Sequence, residues 1–170
     1  MMRTIVYLAL GSNLKSRQEN LRAAVTALKS HGDLLALSRV YETEPVGYRE
    51  QPAFLNQACK MAIKYSPTEL LNVTQGIEKE IGRRPTFPSG PRVIDIDLLF
   101  YGERIMHVPG LDIPHPKLHE RRFVLEPMCD IAPDMVHPEL ALTMRELLAH
   151  LKDQHWVCPT EGDNDVRTIR

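Results

Sequence analysis

The chain has 170 residues, of which 43% are hydrophobic and 25% charged, enough to bury the core of one domain. Its 21 Lys+Arg against 22 Asp+Glu leave a formal net charge of −1, which argues against broad attraction to nucleic acid or an anionic membrane, though not against a local basic pocket. Cys59, Cys129 and Cys158 are scattered with no C-x-x-C, so reduced thiols in a cytoplasmic protein are expected rather than a disulfide framework.

Ile5 to Leu10 is a short apolar run that stops at Gly11-Ser12-Asn13. It is too short for a membrane span and lacks signal-peptide features, so it reads as a first buried strand. Ser16 and Glu19 stand at capping-box spacing, and Leu21, Val25 and Leu28 follow at helical intervals, predicting a helix to His31-Gly32. Leu34 to Tyr41 reads as strand two. Residues 43–52 form a long polar connection, of a length that favours a functional loop. Phe54 to Tyr65 is strand three. Ser66, Pro67 and Glu69 mark a helix start, Leu70, Thr74, Ile77 and Ile81 repeat along one face, and Gly82 is a natural stop.

The loop 83–90 leads into Gly90-Pro91-Arg92-Val93-Ile94-Asp95-Ile96-Asp97-Leu98-Leu99-Phe100, the most informative stretch of the chain. As a strand it alternates: Ile94, Ile96, Leu98 and Phe100 face one way, Asp95 and Asp97 the other. Two neighbouring carboxylates repel, and Asp is depleted from strands, so a cation is expected against them. A pair of hard oxygen donors suits Mg²⁺, which takes one or two carboxylates plus phosphate oxygens and water. The alternative is a solvated strand face paired with Arg92. Beyond it come a short strand near Arg104 to Val108, the extended Ile113-Pro114-His115-Pro116, and short helices over Lys117 to Leu125 and Thr143 to Lys152. The order β-α-β-β-α-β predicts an α+β, ferredoxin-like βαββαβ core: an antiparallel sheet, both helices on one face, the other face free for ligands, with extra short strands and C-terminal helices.

Arg83, Arg92 and Arg121 flank the aspartate strand and the Pro114-His115-Pro116 segment, and the arginine fork grips phosphate at two points. Arg84, Arg104 and Arg122 read as surface charges. Phe54 and Phe123 are as well suited to core packing as to a ligand. His115, taken alone, reads as a hydrogen-bonded, partly buried histidine.

Six segments occur in one order: Leu8 to Leu14 (LALGSNL), Tyr41 to Gly47 (YETEPVG), Gln51 to Asn56 (QPAFLN), Gly90 to Asp97, Ile113 to Pro116, and Arg121 to Leu125 (RRFVL). In these the chain resembles the 6-hydroxymethyl-7,8-dihydropterin pyrophosphokinase family, shortened to HPPK. The resemblance covers residues from about 5 to 135. It implies transfer of pyrophosphate from ATP to the hydroxymethyl group of the dihydropterin, with release of AMP, in tetrahydrofolate biosynthesis. It further implies two Mg²⁺ ions on Asp95 and Asp97, with catalytic roles for Arg83, Arg92, Asp95 and Asp97. Gln75, Glu78, Arg83, Arg92, His115 and Arg121 would serve ATP. Thr43, Pro45, Val46, Phe54, Asn56 and Phe123 would hold the pterin, the two rings sandwiching it and Asn56 bonding its polar edge.

The chain departs from some family members in two places. Its 83–89 loop has no lysine or tryptophan, which leaves Phe87 as the aromatic lid residue. Gly110, Asp112 and Pro116 stand where some members carry Arg, Thr and Tyr. Loops 43–52 and 83–90 are expected to close over substrate and exclude water. Residues 1–158 are expected to form one catalytic domain acting as a monomer on small molecules, with no nucleic acid or membrane partner, and 159–170 a flexible polar tail. Competing readings are a D-x-D nucleotidyl or glycosyl transferase and a ferredoxin-like RNA-binding module. The latter would carry aromatics and a basic face where this chain has aspartates.

Overall fold

A computed structural model describes residues 2–161 and 167–168. Its strands are β1 (Thr4–Ser12), β2 (Gly32–Leu37), β3 (Tyr41–Thr43), β4 (Phe54–Ile63), β5 (Asp95–Tyr101), β6 (Met106–Val108), β7 (Leu111–Ile113), β8 (Val157–Pro159) and β9 (Arg167–Thr168). Its helices are α1 (Arg17–Lys29), α2 (Pro67–Ile81), α3 (Arg122–Ile131) and α4 (Met144–Ala149). The main sheet runs β5-β1-β4-β2-β9, with β3 continuing beside β4 and β8 beside β3. Every pairing in it is antiparallel. The order 5-1-4-2 of the core strands is the arrangement expected of the ferredoxin-like βαββαβ unit.

Helices α1 and α2 cover one face. Val6, Leu8 and Leu10 of β1, Met61 and Ile63 of β4 and Ile96 of β5 point into that layer with Leu21, Leu28, Leu70 and Ile77. Each fully buried aliphatic side chain contributes roughly 1.5–3 kcal/mol by leaving water. Helix α2 starts as expected: Glu69 N–H donates to Ser66 Oγ, Ser66 N–H donates to Glu69 Oε2, and Gly82 closes the helix at φ 118°. Helix α1 does not. Ser16 makes no side-chain cap; Asn20 Nδ2 instead donates to Ser12 Oγ and Leu14 O, tying the helix to the end of β1, and the helix stops at Lys29.

Further expectations are corrected. The second strand is broken in two, because Ser38 takes over the ladder between β2 and β3. Its N–H donates to Ala58 O, its Oγ accepts from Ala58 N–H, and its carbonyl accepts from Gln57 Nε2. Phe100 does not share a face with Ile96 and Leu98. The register slips where Tyr7↔Phe100 gives way to Leu8↔Leu98, and this bulge turns Phe100 to the opposite face beside Leu99 and Tyr7. That face is not wholly free. Leu99, Phe100 and Tyr7 carry α3 and α4 through Val124, Met128 and Leu147. The segment 117–125 is a 3-10 turn Leu118–Glu120 followed by α3, separated by extended Arg121, and α3 runs past Pro127 to Ile131. Strand β6 gains a partner in β7, turning through Gly110 at φ 80°. Of the segment expected as a polar tail, Pro159 lies in β8, Thr160 N–H donates to Val40 O, and β9 pairs with β2. Residues 162–166 and 169–170 lie outside the described residues.

Candidate active site

The cleft sits where the open sheet face is free of helix. Register brings its floor together. On β1, Gly11 pairs with Asn56 on one side and Asp95 on the other, while Ala9 pairs with Asp97. Thr43 of β3 pairs with Phe54 of β4. The central strand is kept low for a steric reason: a Cβ on Gly11 would stand 2.8 Å from Asn56 Oδ1. Asn56 Nδ2 donates to Thr43 Oγ1 at 2.6 Å, which orients both side chains and leaves the Thr43 hydroxyl proton to donate elsewhere. The cleft holds about 330 Å³ and is also lined by Val46, Arg83, Arg92, His115, Arg121 and Phe123.

Its charges are arranged in two tiers. Arg83 Nη1 donates to Asp95 Oδ1 at 2.7 Å and also pairs with Glu78, while Arg92 Nη1 stands 3.7 Å from Asp95 Oδ2. Asp97 has His115 Nε2 at 4.0 Å. Burial, and then repulsion from Asp95, push the Asp97 carboxyl up to about 7, against the opposing pull of Arg121, Arg92 and Arg83. Burial, and then Arg121, hold the His115 imidazolium down to about 4, so this ring is neutral at pH 7. Its backbone N–H donates to Leu99 O, anchoring the segment to β5.

Phe54 carries the Arg92 guanidinium 5.3 Å above its ring, and Phe123 carries that of Arg121 at 5.5 Å. Arg92 Nε is buried and has no hydrogen-bond acceptor among the described residues.

Of the residues singled out from the sequence, Arg83, Arg92, Asp95, Asp97, His115 and Arg121 meet Thr43, Val46, Phe54, Asn56 and Phe123 in this one cleft. Three do not line it. Glu78 reaches it only through Arg83, Pro45 is buried behind the wall, and Gln75 is exposed on α2. Sequence reasoning missed a hub. Asn13 Oδ1 accepts from Arg92 N–H at 2.7 Å, and its Nδ2 donates to Gln51 Oε1 and Pro52 O. Gln51 Nε2 donates to Tyr48 O and Ser89 O, and Tyr48 meets Phe87 edge-on at 5.0 Å. The two long loops therefore touch each other, and Asn13 ties both to the Arg92 backbone. Only the polarity of Asn13 and Gln51 beside turn residues signalled this.

Residues 7–133 match the model of the 7,8-dihydro-6-hydroxymethylpterin-pyrophosphokinase (HPPK) family. The chain belongs to this family. It is 43% identical over 147 residues to the folic acid synthesis protein FOL1 of Dictyostelium discoideum, covering 86% of this chain and 22% of that protein. The chain thus spans about a fifth of the length of such multipart relatives. Two bacterial proteins named 2-amino-4-hydroxy-6-hydroxymethyldihydropteridine pyrophosphokinase match along most of their length. The one from Bacillus subtilis is 42% identical, over 76% of this chain and 79% of that one. The one from Pseudomonas aeruginosa is 38% identical, over 92% and 93%. A Plasmodium falciparum HPPK-DHPS triple mutant shares the fold, with TM-score 0.72 at 17% identity over 86% of this chain and 44% of that one. No helix among the described residues is long and apolar enough to cross a membrane.

Proposed function

We propose that this HPPK-family chain transfers the β,γ-pyrophosphoryl group of ATP to the hydroxymethyl oxygen of 6-hydroxymethyl-7,8-dihydropterin, as a step in tetrahydrofolate synthesis. One observation carries the reading: a single cleft joins a carboxylate pair and three arginines to two aromatic rings and the Thr43–Asn56 pair. In the reaction the pterin oxygen forms a bond to the β-phosphorus. The bond from that phosphorus to the α,β-bridging oxygen breaks, AMP leaves with the electron pair, and the hydroxyl proton passes to solvent water.

Arg83 and Arg92, both lining the cleft, neutralise charge on the migrating group. Arg121 and neutral His115 hold the nucleotide. Glu78 acts by positioning Arg83, and Gln75 would have to reach the nucleotide from the exposed face of α2. Phe54 and Phe123 stack the pterin, Asn56 and Thr43 bond its edge, and the backbone of Pro45 and Val46 completes the wall. Asp95 and Asp97 would hold Mg²⁺, two ions by family resemblance. The donor set fits: both are hard oxygens on one sheet face, and burial and then repulsion from Asp95 raise the Asp97 carboxyl, a penalty that a bound cation would relieve. No cluster of three or more Asp, Glu, His or Cys among the described residues could hold a metal, which leaves the remaining coordination to phosphate and water, as Mg²⁺ prefers. When bound, Mg²⁺ supplies charge neutralisation on the phosphates.

Cys59, Cys129 and Cys158 are free thiols, which supports a reducing, cytoplasmic setting. Incubation with ATP, Mg²⁺ and the pterin alcohol should release AMP in equal amount with pterin diphosphate. AMP formed without the pterin, or ADP formed instead, would refute the reading.

A further inference from the structure

The stretch following α4 lies beyond the family-matched residues 7–133, yet it is fastened to both sides of the cleft. On one side is the start of α3, which bears Phe123. The N-cap residue Arg121 offers this helix no side-chain cap, so its first amides need acceptors from elsewhere. Asp153 supplies one: its Oδ2 accepts from Arg122 N–H at 3.0 Å, and its carbonyl accepts from Arg122 Nε at 3.4 Å. Asp153 Oδ1 also accepts from His155 N–H at 3.0 Å, which folds the next residues back toward β3.

On the other side is the wall that runs through Thr43, Glu44 and Val46. Three residues after Asp153, the Trp156 backbone closes a two-way bond with Glu44. Glu44 N–H donates to Trp156 O at 3.1 Å, and Trp156 N–H donates to Glu44 Oε2 at 3.1 Å. Strand β8 then continues the pairing, Thr43 opposite Val157 and Glu42 opposite Cys158. The Asp153 carboxyl is largely buried. Burial alone would raise it, but the N–H groups of Arg122 and His155 and the His155 side chain outweigh burial and hold it below its usual range, as befits an ionised acceptor.

We propose that residues 153–157 form a strap that sets the spacing between the Phe123 side and the Thr43–Val46 side of the pterin slot. Asp153 is its positioning residue. Among the described residues the strap has no hydrogen bond or ion pair to Asp95, Asp97, Arg83, Arg92 or His115; of the groups assigned to the nucleotide only Arg121 adjoins its anchor at Arg122, so loosening the strap acts more on acceptor binding than on nucleotide binding. The inference rests on the pterin reading of the slot, but its structural half is independent of that reading.

The test compares wild type, Asp153→Ala, Asp153→Asn and Trp156→Ala by AMP release and by hydrogen exchange. Asp153→Ala should raise KM for the pterin alcohol about 5- to 10-fold, a size in keeping with small misplacements of a binding wall. KM for ATP should stay within about twofold. Asp153→Asn keeps one side-chain oxygen acceptor and should recover most of the loss. Trp156→Ala keeps the backbone pair, since the exposed indole makes none of these bonds, and should match wild type. In Asp153→Ala the amides of Thr43, Glu44 and Val46 and of residues 122–124 should exchange faster. An unchanged pterin KM in a folded Asp153→Ala protein, or an equal rise in both KM values, would overturn the strap. If Asp153→Ala does not fold, Asp153→Asn carries the same comparison at smaller amplitude. A wild type that forms no AMP with the pterin would sink the proposed reaction alone. Exchange at 43–46 would still decide the strap, and unchanged exchange there would overturn it.

Discussion

Replacing Asp97 by Asn should stabilise the metal-free protein while it removes activity. Asp97 lies on the same sheet face as Asp95, and burial plus that neighbour raise its carboxyl from 3.8 to about 7. The sign follows from linkage. Between about 4 and about 7 the folded chain keeps a proton that the unfolded chain has lost, so stability falls as pH rises through that window. Above it the full penalty applies. A shift of this size, taken at face value, would be worth roughly 4 kcal/mol. However, 37% of the Asp97 side chain reaches water, and solvent screening cuts the figure to about 1 kcal/mol. That corresponds to a melting temperature about 2–4 °C higher for the variant in a chain of this size. Thermal unfolding at pH 8 in EDTA should show this gain, and at pH 4 the gain should vanish. Mg²⁺ with a non-hydrolysable ATP analogue should raise the melting point of wild type more than that of the variant. AMP release should fall by at least about a hundredfold, given the several kcal/mol such a metal contact supplies. A variant that melts at or below wild type at pH 8 would refute the reasoning. It would mean the arginines and His115 already satisfy the Asp97 carboxylate, which then awaits no cation.

Arg83→Ala should lower the single-turnover rate about 10²- to 10³-fold while pterin affinity changes less than about threefold if, as proposed, this guanidinium serves the migrating group; weakened pterin binding at an unchanged rate would place it wrongly. Phe123→Ala should weaken pterin binding by roughly tenfold through lost aromatic contact, and leave binding of the ATP analogue within about threefold; calorimetry with each ligand separately decides. Asp130→Ala should cost about 3 kcal/mol and lower the melting point. Asp130 accepts from Tyr41 Oη, Arg39 N–H and the Arg39 guanidinium, tying α3 to β3, and its removal strands the donor of a buried hydroxyl. A melting point within 1–2 °C of wild type would show that water replaces it.

Elements with strong local chemistry were legible. Helix α2 carries its start, its face and its stop in Ser66, Glu69, Leu70, Ile77 and Gly82, and all act as read. The two-fold pattern of β5 was readable as far as Leu98, and it put Asp95 and Asp97 on the sheet face opposite Ile96 and Leu98, where they line the cleft. What followed was not, because a bulge is decided by the partner strand: Tyr7 and Leu8 on β1 determine where Phe100 goes. Ser16 shows the converse. Its spacing to Glu19 suits a capping box, but Asn20 reaches back to Ser12 and Leu14 and sets the entry of α1 by a different route. At the site, charged and aromatic side chains announced themselves by type. The Asn13–Gln51 hub did not, since a buried amide joining two loops looks in sequence like any polar turn.

The division of one sheet face explains why the cleft is where it is. Along the open face, the far ends of β1 and β5 present Tyr7, Leu99 and Phe100, large apolar groups that must be covered, and α3 covers them. The near ends present Ala9, Gly11, Asp95 and Asp97, small or charged groups on which no apolar helix face can pack. Helix α3 must therefore begin at the boundary, and the residues at its beginning, Arg121 to Phe123, fall at the cleft's edge as a consequence of packing. The same boundary leaves the first amides of α3 in need of an acceptor, which Asp153 brings from beyond the family-matched region. The apolar half of the face thus does more than stabilise the fold. It fixes the helix that carries one ring of the slot, while the polar half stays open for the phosphates that ring's neighbours would hold.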